Sequence, residues 1–187
     1  LPLLAKHQFP DVDVLKFVFL GPLVGAISRA ATGWVSDRWG GGRVTFWVFV
    51  FMMIGVVGVM YFLQAGNWWG FLGMFIALFV FTGIGNASTF RMIPVIFRTH
   101  HERAAAHADA AAKAVATRRA GIESAAVIGF SSAIGAYGGF FIPKSFGSSL
   151  ALTGAANAAL YGFIVFYVTC IAVTWWWYFR KGAECPC

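Results

Sequence analysis

A single charged side chain, Arg29, interrupts the apolar stretch from Phe17 to Trp34. It lies about eight residues, or roughly 12 Å of helix, before the acid at Asp37, which places it well inside a hydrocarbon layer. A charge at that depth costs on the order of 2.5–3.5 kcal/mol, so it normally faces a bundle interior or a wet cavity. A guanidinium offers planar, forked donors that suit a planar oxyanion. Gly21, Gly25 and Gly33 recur with it every four residues on one helix face, where small residues let another helix or a ligand come close. All seven Asp and Glu residues lie in loops or at the ends of apolar runs, so no carboxylate neutralises Arg29 within a span. An uncompensated buried cation calls for an anion. The competing reading is an arginine paired to a neighbouring helix or snorkelling outward. The lack of an acidic proton relay favours exchange over proton symport.

Three further stretches could support such chemistry. Gly33 to Arg43 is a tight glycine turn carrying Asp37, Arg38 and Arg43. Gly83 to Pro94 places Asn86, Ser88, Thr89 and Arg91 inside an apolar run, and polar groups there usually face protein or water. Arg91 is close enough to the end of its run to reach the interface. Ala126 to Lys144 contains Gly129, Ser131, Ser132, Gly135, Gly138 and Gly139, leaving one helix face nearly bare backbone. That face fits either close helix packing or a slot past which a solute slides. His100, His101 and His107 have no set of carboxylates or cysteines to complete a metal shell, and Cys185-Pro-Cys187 supplies too few ligands for zinc. Neither a metal nor another cofactor is expected. An enzyme is not expected either, because no nucleophile–base set or phosphate loop is present.

The elements that must position these residues follow from where charge is missing. The chain has 187 residues, 59% hydrophobic and 11% charged, against about 25% charged in soluble domains. No Asp, Glu, Lys or Arg occurs between Arg43 and Arg91, between Glu123 and Lys144, or between Lys144 and Arg180. A bilayer core needs roughly 20 apolar residues per helix, so the first gap holds two spans and each of the others one. The stretch around Arg29 makes a fifth. Runs such as Phe46 to Phe62 are solidly apolar, unlike barrel strands. The expected class is therefore an all-α membrane protein of about five spans. The segments read as 1–16, the end of an earlier span and a periplasmic loop; a span at 17–36; a charged loop at 37–44, to which the resemblance described below gives a gating role; spans at 45–64 and 70–97; a connecting helix at 98–120; spans at 121–143 and 150–179; and a tail at 180–187.

Nine Lys and Arg residues (Arg38, Arg43, Arg98, Arg103, Lys113, Arg118, Arg119, Arg180 and Lys181) fall on one side of these spans, against Lys6, Lys16 and Lys144 on the other. The positive-inside rule puts the nine-charge side, and the C-terminus, in the cytoplasm. Topology thus accounts for the net charge of +7, and a nucleic-acid partner is not expected. Trp68 and Trp69, and Trp175 to Trp177, stand where interfacial belts belong. The chain starts at Leu1 in apolar residues, which reads as a fragment of a longer protein.

The glycine turn resembles the cytoplasmic loop motif of the major facilitator superfamily, with Gly, Asp, Arg, Gly and Arg at matching spacing. The Gly85-Asn86-Ala87-Ser88-Thr89-Phe90-Arg91-Met92-Ile93-Pro94 stretch and the glycine-rich stretch from Gly129 to Lys144 narrow this. Together they resemble the nitrate/nitrite porter family of that superfamily, from about Phe9 to Cys187. Ala87 stands where members often have Gly. The resemblance implies two six-helix halves rocking around a central site, with one arginine from each half clamping nitrate or nitrite. It implies that Arg29 is the second-half arginine, with Asn86, Ser88, Ser132, Gly135, Gly138 and Gly139 lining the substrate path and Asp37, Arg38 and Arg43 latching the cytoplasmic side. It further implies that the N-terminal half-bundle is missing, that the chain alone does not transport, and that its place is a bacterial inner membrane. Another small oxyanion as cargo, or a non-transport anchor or assembly subunit, are the competing readings.

Overall fold

A computed structural model describes Ala5, Lys6 and residues 8–180. Lys181, Cys185 and Cys187, and with them most of the expected tail, lie outside the described residues, as do positions 1–4 and 7. Seven α-helices follow a short 3-10 turn at Val14–Phe17: α1 Leu20–Ala31, α2 Gly33–Trp39, α3 Gly41–Gln64, α4 Trp68–Ala104, α5 Ala110–Ala136, α6 Gly138–Thr153 and α7 Asn157–Thr174. A π-helical turn at Trp175–Phe179 continues α7. The described residues contain no strand.

Among the described residues, five helical stretches, taken end to end, are long and apolar enough to cross a membrane: Val14–Ala31, Gly41–Gln64, Trp68–Ala104, Ala110–Thr153 and Asn157–Phe179. The chain is a multi-pass membrane protein. Its surface agrees, because large apolar side chains point outward, with Phe130 70% and Leu152 85% exposed. In water such a surface would be an aggregation hazard, whereas lipid solvates it.

Backbone chemistry sets the helix limits. Gly40 (φ 87°), Gly66 (φ 64°) and Gly154 (φ 68°) adopt left-handed conformations that a side chain would resist, and each sits between helices. Asn67 accepts a hydrogen bond from the Gly70 amide at 3.0 Å, and Asp109 accepts one from the Ala112 amide at 2.9 Å. These caps start α4 and α5. Pro94 lies inside α4 without ending it, so α4 runs to Ala104, seven residues past position 97. The break before α5 falls inside the stretch expected to be one connecting helix, at 105–109.

Helix α4 is the central element and packs against α1, α2, α3 and α5; α3 also packs against α7. At the α3–α4 turn, Phe71 and Val59 are fully buried among Phe9, Val14, Trp68 and Leu160. Trp68 meets Phe9 edge-on at 5.4 Å and Phe17 at 5.6 Å. Here the structure departs from the expected tryptophan belt. Trp69 is 70% exposed, but Trp68 is 8% exposed, because successive helical residues point about 100° apart.

Candidate functional site

The position of Arg29 depends on a close crossing of α1 and α4. A Cβ added to Gly83 would overlap the Gly25 carbonyl oxygen and come within 3.0 Å of the Arg29 amide nitrogen. Gly83 therefore lets the two backbones touch at the turn that carries the arginine. On either side of this crossing, Gly21 and Gly25 receive the Phe79 ring, and Gly33 receives the Arg91 guanidinium. The glycines sharing a face with Arg29 are thus filled by α4, which is the helix-packing use of that face.

Arg29 itself is exposed on this bundle and reaches over the ring of Phe90, 5.3 Å from its centroid. Among the described residues it has no carboxylate partner. It lines an open cavity of about 670 Å³ whose walls come from α1, α3, α4, α5 and α7. Asn86, Ser132 and Gly135 line the same cavity, so four of the residues nominated by sequence converge there.

The donors available in that cavity are few. Thr82 donates its hydroxyl to the Leu78 carbonyl, Thr89 to the Gly85 carbonyl and Ser132 to the Ile128 carbonyl. Each thus spends its proton on the preceding helical turn and turns oxygen lone pairs to the cavity. Asn86 differs, because its buried Oδ1 has no hydrogen-bond partner. That oxygen is an acceptor and calls for a donor, which an anion does not supply, so only the Nδ2 hydrogens of this amide could serve an anion. The wall thus presents a fixed cation, an amide and a surface of aromatic and aliphatic side chains.

The remaining nominated residues lie elsewhere. Ser88 is 1% exposed. Its hydroxyl donates to the Gly41 carbonyl at 2.9 Å and accepts from Thr45 at 2.8 Å, tying α3 to α4. Gly138 opens onto a different cavity, between α6 and α7, and Gly139 lines neither. Asp37 forms an ion pair with Arg91 of α4, whereas Arg38 and Arg43 line a separate groove. His101 bonds Glu123 at 2.8 Å, joining α4 to α5, and the described residues contain no group able to hold a metal ion.

Sequence reasoning passed over Thr82 and Tyr167 and did not nominate Thr89 or Phe90 for the substrate path, yet all four line the Arg29 cavity. A signal existed for part of this set. Thr82, Asn86 and Thr89 recur at i, i+4 and i+7, a polar stripe on one face of an apolar helix.

No family model matches the chain. Among curated proteins, it is 44% identical over 185 residues to a nitrate/nitrite transporter, NarU, of Salmonella typhimurium, covering 96% of this chain and 39% of that protein. It is 43% identical over 187 residues to the Escherichia coli NarU, with the same shares. It is 34% identical over 187 residues to a probable nitrate/nitrite antiporter, NarK2, of Thermus thermophilus, covering 94% of this chain and 35% of that protein. The chain therefore spans less than two fifths of the length of these relatives. Over nearly all of its own length the chain is thus homologous to part of these nitrate/nitrite transporters.

Proposed function

We propose that the chain forms the C-terminal half-bundle of a nitrate/nitrite transporter and supplies one wall of its anion path. Arg29 receives the anion, and the Asn86 amide binds beside it. The open backbone at Gly135 and the small side chain of Ser132 leave room for the solute to pass. An N-terminal half-bundle closes the cavity from the other side and rocks against this one, exchanging nitrate for nitrite across a bacterial inner membrane. The basic ends of the helices and the C-terminus face the cytoplasm. The Asp37–Arg91 pair ties α2 to α4 at that face and takes part in gating.

One observation carries the reading: Arg29 has no carboxylate partner among the described residues, and it opens onto a cavity shared with Asn86. Nitrate uptake into proteoliposomes by the complete transporter tests it. Arg29→Ala is expected to lower uptake by about a hundredfold or more, because hydrogen bonds to a charged group contribute about 1.5–3 kcal/mol each and two are lost. Arg29→Lys keeps the charge but loses the fork, so it is expected to be impaired as well. Uptake that survives Arg29→Ala would instead fit an anchor or assembly role. Competition by other small oxyanions identifies the cargo.

A further inference from the structure

Around α3 from the Arg29 cavity, with Val48 as the shared wall, a groove of about 660 Å³ runs between α2, α3 and α4. Arg38, in the last turn of α2, and Arg43, in the first turn of α3, both line it. Both are exposed, and neither has a carboxylate partner among the described residues, since Asp37 is taken by Arg91. Below this charged end the groove is apolar. Arg43, Trp47 and Phe51 follow one another at four-residue intervals on one face of α3. Phe51 stacks on Phe81 of α4 at 5.1 Å, and Trp39 completes the rim.

We infer that this groove seats an anionic phospholipid, its headgroup phosphate between Arg38 and Arg43 and an acyl chain along Trp47, Phe51 and Phe81. The strip from Arg43 to Phe51 covers about 12 Å of helix, so polarity changes along it in the same order as in a phospholipid. A free phosphate would use only the charged end and gain nothing from the aromatic strip. A soluble polypeptide would have to enter the apolar zone of the bundle. Basic pockets between helices at a membrane face are suited to anionic lipids. The inference concerns a surface apart from the Arg29 cavity and holds whatever solute Arg29 receives.

The test is quenching of tryptophan fluorescence in the detergent-solubilised chain by brominated phosphatidylglycerol or brominated phosphatidylcholine. The expected result is half-saturation at a markedly lower concentration of the anionic lipid, with a loss of about fivefold in its apparent affinity for each guanidinium removed. Arg38→Gln/Arg43→Gln should therefore bring the two lipids close to parity, with helix content by circular dichroism unchanged. Arg118→Gln/Arg119→Gln removes the same net charge elsewhere and should keep the preference. Trp39→Phe/Trp47→Phe should remove most of the lipid-specific quenching. The proposal is overturned if the double glutamine variant keeps the wild-type preference, or if the anionic preference in quenching persists without Trp39 and Trp47. It is also overturned if inorganic phosphate displaces the lipid, which would mark a bare anion site.

Discussion

Arg29 and Asn86 stood out in the sequence because each is polar inside an apolar run, and the structure places both on one cavity. Ser88 stood out by the same rule and lies elsewhere. It is two residues beyond Asn86, about 200° around the helix, so its side chain meets α3 instead of the cavity. Residue type alone cannot separate these two outcomes, but helical phase can. Two predictions belong at this scale. Asn86→Asp puts a carboxylate on the wall beside Arg29 and should abolish nitrate binding, whereas Asn86→Ala should only weaken it; titration calorimetry on the complete transporter compares them. Ser88→Ala leaves the Thr45 hydroxyl and the Gly41 carbonyl without their partner, at a cost of about 1–3 kcal/mol. A lowered melting temperature with an unchanged KM for nitrate is expected.

Among the helices, the glycines divide into those that permit contact and those that leave space. Gly83 belongs to the first kind, since a Cβ there meets the α1 backbone, which cannot rotate away. Gly83→Ala should destabilise the fold by about 1–3 kcal/mol, as overpacking does, and should also displace Arg29, lowering both melting temperature and anion affinity. Gly135 belongs to the second kind, with nothing within 4 Å of its missing Cβ. Gly135→Ala should leave the melting temperature unchanged or raise it, since alanine favours a helix by up to about 1 kcal/mol, while slowing nitrate uptake by narrowing the path. The sequence offered no way to sort them, because both kinds are glycines in apolar helices and only the facing element distinguishes them. Gly138 and Gly139 fall beyond the junction of α5 and α6 at Tyr137, which takes them out of line with Gly135. The Asp37–Arg91 pair, 54 residues apart in sequence, has no periodicity that would announce it. With the two side chains 58% and 50% exposed, the pair contributes no more than about 1 kcal/mol to stability. Asp37→Asn should therefore change gating more than melting temperature, and the swap Asp37→Arg/Arg91→Asp should restore uptake.

Across the whole molecule, the number of spans was legible because charge in a hydrocarbon layer is costly, so the gaps between charges mark the helices. The packing order was not legible, since solidly apolar helices carry no stripe saying which face meets protein and which meets lipid. The direction of insertion proposed from the basic residues can be measured. In a background with Cys170, Cys185 and Cys187 replaced by serine, a cysteine at Gly66 should react with an impermeant maleimide in intact cells. One at Ala106 should react only after permeabilisation. The touching backbones of α1 and α4 bear on how such a molecule moves. At that junction backbone meets backbone, with only the Ser28 Cβ beside it, so few rotamers are free to absorb strain. The contact is expected to couple the segments bearing Arg29 and Asn86, so that they move together.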